Sequence, residues 1–288
     1  MNDVQEKLLD LVFEMSEICR EHNIPIVLCG GNALGLERNG GFLPWDDDID
    51  LFITRKDFEK LDKILSAQDV PDRAWVTEGR YPGYRNPLPR YVDTSTTLLS
   101  RSRLYDGTPL GEMVEFFVLD PFPNDPAEQL EYQKYLWLYC ELLAPRFVVA
   151  RMAMPAGVVD EELYRIYESR VKSEGLETVL AEIEREHLTY DEDQCDYLCG
   201  RWGVQASIVK KSWMQNIVYR PFEGKMLPFF KDNTEYLDFT EYGFEWTRVP
   251  SESRAVPHNT IINLNTSFSD SIESLREQGR EAGFEEAL

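Results

Sequence analysis

Four aspartates stand within residues 46–50, and apolar residues recur at Ile49, Leu51 and Ile53. If this segment is a β-strand, Asp48 and Asp50 project from one face and the apolar side chains project from the other. Two carboxylates this close repel each other, and a bound cation is the usual way in which both stay ionised. Oxygen ligands of this kind suit hard divalent ions such as Mg²⁺ or Mn²⁺. The segment therefore predicts a metal-binding strand.

Three other interpretations of the acidic segment are open. A solvent-exposed acidic turn explains poorly why a Pro-Trp pair and an apolar strand flank the carboxylates. A calcium loop of the EF-hand type requires Gly at its sixth position, and counting from Asp46 that position is Leu51. A helix N-terminus that collects acidic residues fits less well, because the next helical pattern begins near Thr54. The interpretation that fits these residues best is a strand that binds a catalytic metal ion.

The whole chain is strongly acidic, since 52 Asp and Glu residues against 30 Lys and Arg residues give a formal net charge of −22. No basic stripe offsets this charge, which argues against a nucleic acid or an anionic membrane as a partner. A phosphorylated substrate then needs a metal ion or local arginines in order to approach the protein. The 288 residues suffice for one large domain or two small ones.

The five cysteines are odd in number and lie mostly in apolar segments, which is typical of reduced core thiols in an intracellular protein. No secretory signal opens the chain, and no apolar run approaches the ~20 residues that a transmembrane helix needs. We therefore expect a cytoplasmic protein without a transmembrane segment.

A Gly-Gly pair precedes the acidic segment. A short apolar strand predicted at residues 24–28 leads into Cys29, Gly30, Gly31 and Asn32, and a short helix is predicted over residues 33–38. Glycines between a strand and a helix permit close backbone approach and leave helix N–H groups free for a phosphate. A Gly-Gly pair alone is a weak signal, since any tight turn uses one. An Asp-x-Asp strand after it makes the signal much stronger.

A further carboxylate stands inside a strongly apolar run. Residues 112–120 (Glu-Met-Val-Glu-Phe-Phe-Val-Leu-Asp) predict a core strand, and Glu115 lies in its middle. A charge in such a run is costly unless it is paired or bound to a metal. The alternative is a glutamate at a strand edge that reaches solvent. We expect Glu115 to be the third carboxylate of the site.

The order of these patterns predicts an α/β (α+β) fold. Helical periodicity appears at residues 3–22 and 55–67, with strands predicted at 74–77 and 98–104. From residue 125 the pattern becomes helical, and we expect helices at residues 126–143, 161–172, 176–187 and 191–200.

The residue sequence of the first motifs resembles that of a known family. A strand, a Gly-Gly pair, a short helix, an Asp-x-Asp strand and a later carboxylate strand resemble the layout of the nucleotidyltransferase superfamily. Residues 31–50 (Gly-Asn-Ala-Leu-Gly-Leu-Glu-Arg-Asn-Gly-Gly-Phe-Leu-Pro-Trp-Asp-Asp-Asp-Ile-Asp) closely resemble the signature of the LicD family. That family comprises phosphocholine transferases and relatives, including fukutin-type ribitol-phosphate transferases. Residues 115–120, 222–224, 242–243 and Pro250 match its later motifs.

Three positions depart from the family pattern. Asn32 stands where Thr is usual, Glu115 where Asp is usual, and Asn39 where His is common. All three residues are polar, so the resemblance still implies the metal site, whereas it does not specify the substrate. Together with the resemblance, the patterns imply a nucleotidyltransferase-like catalytic core at residues 1–124, a helical section at 125–205, and a C-terminal segment at 206–288 that packs back on the active site.

By this resemblance the chain moves a phospho-alcohol from a CDP-activated donor, CDP-choline being favoured, to a hydroxyl acceptor, and CMP is released. The acceptor is expected to be a glycan or a lipid-linked sugar. Asp48, Asp50 and Glu115 are implied as catalytic residues and as ligands of Mg²⁺ or Mn²⁺. The residues expected to bind the phosphate oxygens of the donor are Gly30, Gly31, Asn32, Arg38, Arg101 and Arg103.

A choline head group favours an aromatic cage, for which the candidates are Trp45, Trp213, Tyr242 and Trp246. Two other functions remain open. One is a nucleotidyltransferase that moves a nucleoside monophosphate from a nucleoside triphosphate to a small acceptor with the same motifs. The other is a non-catalytic metal- or nucleotide-binding module, against which the complete carboxylate set argues.

Overall fold

The computed structural model describes residues 1–81, 83–99, 108–144, 156–201, 207–240, 247 and 261–270. Within these residues the helices are α1 (Asp3–Glu21), α2 (Gly30–Asn39), α3 (Arg55–Ser66), α4 (Pro126–Leu143), α5 (Glu161–Glu174), α6 (Leu176–His187), α7 (Lys211–Met214) and α8 (Asn233–Phe239). The strands are β1 (Val27–Leu28), β2 (Asp50–Thr54), β3 (Arg73–Val76), β4 (Arg90–Asp93), β5 (Thr97–Leu99), β6 (Met113–Phe122), β7 (Tyr197–Gly200), β8 (Ile208–Lys210), β9 (Ile217–Phe222), β10 (Lys225–Phe230) and β11 (Ile261–Asn263).

The main sheet is mixed and runs in the order β1-β2-β6-β4-β3. Strands β2 and β6 are parallel, whereas the other neighbouring pairs of this path are antiparallel. Further along β6, strand β7 takes the edge that β4 leaves free, and β8 pairs with β7. The predicted α/β (α+β) fold class is confirmed.

Helix α1 begins with a capping box, because the Asn2 side chain accepts from the Gln5 N–H and the Gln5 side chain accepts from the Asn2 N–H. Its apolar face packs on one side of the sheet, together with α3, in a cluster that includes Ile49, Leu51 and Ile53. Helices α2 and α8 cover the other side, to which Phe52 and Leu119 belong. The predicted alternation of the acidic segment is therefore confirmed.

One helix boundary and one element type differ from the predictions. Helix α2 begins at Gly30 rather than at Ala33, so both glycines belong to its first turn. Residues 191–200 were predicted to be helical, and this is wrong. They contain a 3₁₀ turn at Glu192–Gln194 and then strand β7. The backbone of β6 offers hydrogen bonds at this edge, and pairing with it overrides a weak local helical pattern.

The hairpin of β9 and β10 returns to the loop that precedes the acidic segment. The Glu223 carboxylate accepts from the Phe42 N–H at 3.2 Å, and the Glu223 N–H donates to the Gly40 carbonyl. Gly41 makes this possible, because a Cβ there would lie 2.0 Å from Glu223 Oε1. The predicted division into three regions stays a prediction.

Among the described residues, no helix combines the length and the apolar composition that crossing a bilayer requires. The predicted cytoplasmic location stays a prediction. All five cysteines are free thiols and are buried.

Candidate active site

Asn32 organises the acidic segment from the first turn of α2. Its side chain is 1% exposed, and its Nδ2 group donates both to Asp46 Oδ2 and to the Asp48 carbonyl, each at 3.2 Å. Its Oδ1 accepts from the Asp50 N–H at 3.0 Å. One amide therefore holds three of the four aspartates of this segment, and the polar side chain at this position has a structural reason.

The N-terminus of α2 faces a carboxylate of the protein itself. A Cβ on Gly31 would lie 2.9 Å from Oδ1 of the buried Asp46, so the glycine makes room for this carboxylate. A negative charge is favourable at this end of a helix. The Gly30 N–H donates to the Tyr236 hydroxyl at 3.3 Å. Whether Gly30, Gly31 and Asn32 also contact a phosphate stays a prediction.

A row of three charged residues crosses three neighbouring strands. Asp50 at the start of β2 is the register partner of Glu115 on β6, and Glu115 is the register partner of Arg90 on β4. Register partners on paired strands project from the same face of a sheet. The structure therefore brings two of the predicted carboxylates together. Asp48 lies two residues before Asp50, ahead of the strand, and is half-buried.

Glu115 is 4% exposed and forms an ion pair with Arg90, which is 3% exposed. The Arg90 Nε–H donates to Glu115 Oε1 at 3.1 Å. This pairing satisfies the charge that made Glu115 conspicuous in the sequence. The guanidinium carbon of Arg90 also lies 5.2 Å from the centre of the Tyr84 ring, a cation–π distance.

The carboxylates of the site are of the chemical type that binds a magnesium ion. Mg²⁺ is usually held by one or two carboxylates together with water and substrate phosphates. Asp48 and Asp50 meet that requirement. Across the described part of the chain, no group of three or more His, Cys, Asp or Glu side chains is arranged to hold a metal ion. The residues therefore fit a cation that phosphate oxygens complete, rather than a cage built by the protein alone.

The thiol of Cys29 lies beside this site. Burial, and then the negative charges of Asp50 and Asp48, raise the pKa of Cys29 well above its ordinary value. Cys29 is therefore a protonated core thiol and not a nucleophile.

A second buried carboxylate, Glu112, lies near the acidic segment. It is 0% exposed, and both carboxylate oxygens lack a hydrogen-bond partner. Burial, followed by the charges of Asp47 and Asp93, raises the pKa of Glu112 to about 8, while Lys7 acts in the opposite direction. The side chain is therefore largely protonated at neutral pH.

Several residues that were predicted to bind phosphate or choline do not lie in the row formed by Asp50, Glu115 and Arg90. Arg38 lies in the last turn of α2, eight residues from Gly30 and so about 12 Å along the helix. Trp213 is 4% exposed and packs against Phe230 and Tyr236. Trp45 packs against the same apolar cluster. The predictions for Arg101, Arg103, Tyr242 and Trp246 lie outside the described residues.

Sequence reasoning assigned no role in this region to Arg90 or Glu112, and it included Asp46 only as one of the four aspartates of the acidic segment. Arg90 stands at the end of a loop rich in Pro, Tyr and Arg, where nothing local separates it from Arg80 or Arg85. Only the register of β4 on β6 brings it opposite Glu115.

Two comparisons with known proteins concern the family to which the chain is similar. Residues 23–83 match the family model described as the LicD/FKTN/FKRP nucleotidyltransferase domain. The match includes α2 and the acidic segment. The lipopolysaccharide cholinephosphotransferase LicD of Haemophilus influenzae (strain ATCC 51907 / DSM 11121 / KW20 / Rd) is 22% identical over 267 residues, which are 90% of this chain and 96% of that relative. The family resemblance predicted from the sequence is confirmed.

Proposed function

We propose that the chain is a transferase that moves phosphocholine from CDP-choline to a hydroxyl group of a glycan. The second product is CMP. The match of residues 23–83 to the LicD/FKTN/FKRP nucleotidyltransferase domain supports this class of reaction. The substrate class is supported by the similarity, along nearly the full length of both chains, to a protein named a lipopolysaccharide cholinephosphotransferase.

The observation that carries the proposal is the row of Asp50, Glu115 and Arg90 across three strands, with Asp48 beside it. Phosphoryl transfer depends mainly on positioning and on neutralising charge, since the transferred group needs little covalent help from the protein. This site has carboxylates that can hold a cation and a buried guanidinium. Each can neutralise negative charge on the transferring phosphate group.

Asp48 and Asp50 would hold Mg²⁺ or Mn²⁺, with Glu115 as a further candidate ligand. When bound, this cation neutralises the oxygens of the donor's diphosphate. The acceptor oxygen forms a bond to the phosphorus that carries choline, and the bond from that phosphorus to the CMP oxygen breaks. The proton of the acceptor hydroxyl passes to a base, and Glu115 is the candidate when it is not a ligand.

The test is the identity of the released nucleotide. The protein with Mg²⁺ and a glycan acceptor is incubated with CDP-choline, CDP-ribitol, CDP-glycerol or each nucleoside triphosphate. We expect CMP from CDP-choline and transfer of its phosphocholine to the glycan. Pyrophosphate released from a nucleoside triphosphate, with no CMP from any CDP-alcohol, would show a nucleotidyltransferase instead. Asp48→Asn in the same assay controls for a contaminating activity.

A further inference from the structure

Arg90 differs from the other cations of the described chain in its burial. Among the residues that the structure describes, it is the one Lys or Arg that is buried. A desolvated guanidinium is costly unless anions surround it. Tyr84 supports one face of the group, and the Tyr84 hydroxyl is itself fixed by donating to the Leu88 carbonyl at 2.5 Å. The position of Arg90 is therefore well determined.

Most hydrogen-bonding capacity of Arg90 is unused. A guanidinium has five N–H donors, and Arg90 commits its Nε–H to Glu115. Within the described residues, its two Nη groups donate to no acceptor. The atoms that are both fully enclosed and without a partner include the Glu112 oxygens but no nitrogen of Arg90. The small accessible part of Arg90 therefore includes its Nη groups.

The row places Arg90 two strands away from Asp50 on the same face of the sheet. Neighbouring strands lie about 4.8 Å apart, so the Cα atoms of Asp50 and Arg90 are about 10 Å apart across the row. In this span, Asp48 and Asp50 would hold the cation, and the guanidinium of Arg90 would meet a phosphate bound to it. Glu115 between them uses one donor and leaves the Nη pair, which matches the two-pronged geometry of phosphate oxygens.

We infer that Arg90 is a binding residue for the diphosphate of the donor: its Nη groups hold a phosphoryl oxygen while its Nε–H keeps Glu115 in place. The identity of the donor in this inference rests on the proposed function. The binding of a diphosphate by Arg90 can be tested without it. Inorganic pyrophosphate with Mg²⁺ is therefore a suitable probe, because it requires neither cytidine, nor choline, nor turnover.

The experiment measures pyrophosphate affinity by calorimetry at fixed Mg²⁺. Arg90→Lys keeps the charge and the ion pair, so the protein should fold, but a single ammonium replaces the planar pair of donors. We expect at least ~10-fold weaker pyrophosphate binding and unchanged affinity for Mg²⁺ alone. Arg73→Lys is the matched control, because Arg73 is an ion-paired arginine of the neighbouring strand β3, and it should bind as the unchanged protein does.

A second comparison removes both members of the pair. Arg90→Gln combined with Glu115→Gln leaves the net charge unchanged and leaves neither member of this ion pair charged without the other. We expect this double variant to bind pyrophosphate at least ~10-fold more weakly than Glu115→Gln alone. Wild-type affinity in Arg90→Lys would overturn the inference and leave Arg90 as the counter-ion of Glu115 only. If the affinity falls as expected but no CDP-alcohol is turned over, the inference stands and the proposed function fails.

Discussion

The side-chain oxygen of Asn32 accepts a hydrogen bond from the backbone N–H of Asp50 at 3.0 Å, and this bond joins the first turn of α2 to the first residue of β2. The amide nitrogen of the same side chain holds Asp46 and the Asp48 carbonyl. A substitution at Asn32 therefore reaches the proposed metal ligands without touching a metal.

Replacing Asn32 tests this organising role. Asn32→Ala leaves the buried Asp46 carboxylate and two backbone groups without these bonds, and we expect a loss of about 2–4 kcal/mol in the free energy of unfolding. Asn32→Asp places a carboxylate 3.2 Å from Asp46 Oδ2 and should destabilise further at neutral pH. Asn39→Ala, which removes one bond to the Phe42 carbonyl from the same helix, is the control and should lose ~1 kcal/mol or less. Chemical denaturation measures all three, and equal losses at Asn32 and Asn39 would contradict the assignment.

The metal role of the acidic segment is tested by removing one charge at a time. Asp48→Asn and Asp50→Asn should each reduce turnover by at least ~100-fold, since each removes charge stabilisation at the transferring group. The folded state should survive, because both side chains are half-buried and fewer carboxylates repel each other. Asp69→Asn, at an exposed position, is the control. Near-native turnover of either variant at saturating Mg²⁺ would exclude that residue as a ligand.

Magnesium and the donor should bind cooperatively. With a net charge of −22, the protein should accept an anionic diphosphate well only after a cation neutralises the acidic segment. Mg²⁺ with CDP-choline should therefore raise the melting temperature more than the sum of the two separate effects. A donor present at 100 times its dissociation constant adds about 2.7 kcal/mol of stability. The thermal shift from CDP-choline should vanish when a chelator is added, and an unchanged shift would refute the coupling.

Glu112 should make stability depend on pH. Its pKa is about 8 in the folded protein and 4.5 ordinarily, so between these values the folded state binds a proton that the unfolded state has lost. The contribution to stability is thus fully present below pH 4.5 and is lost as the pH rises through about 8.

Glu112→Gln imitates the protonated side chain and removes this dependence. We expect the variant and the wild type to have similar stability near pH 4.5, and the variant to be more stable at pH 9, by a few kcal/mol at most. Denaturation curves across this pH range measure the difference, with Glu59→Gln as an exposed control. A stability gap that does not change with pH would mean that Glu112 is ionised in the folded state or has a partner.

The local patterns of the sequence were sufficient to locate the strands that carry the candidate site. Alternation of apolar residues placed Asp48 and Asp50 away from the core, because a strand must bury one face, and Ile49, Leu51 and Ile53 are fully buried. The run around Glu115 was long and apolar enough to require a central strand. Both signals depend on neighbours within a few positions, which is the range over which sequence periodicity is informative.

The tertiary structure alone decided what meets across the strands. The acidic segment, the Glu115 strand and the family motifs were determined by the sequence itself, whereas the partnership of Glu115 with Arg90, the strand at residues 197–200 and the enclosure of Glu112 were not. Each of these depends on the register or packing of segments far apart in the chain. A shift by one residue turns every side chain of a strand to the opposite face, so register is set by the packing of the whole sheet rather than by local sequence.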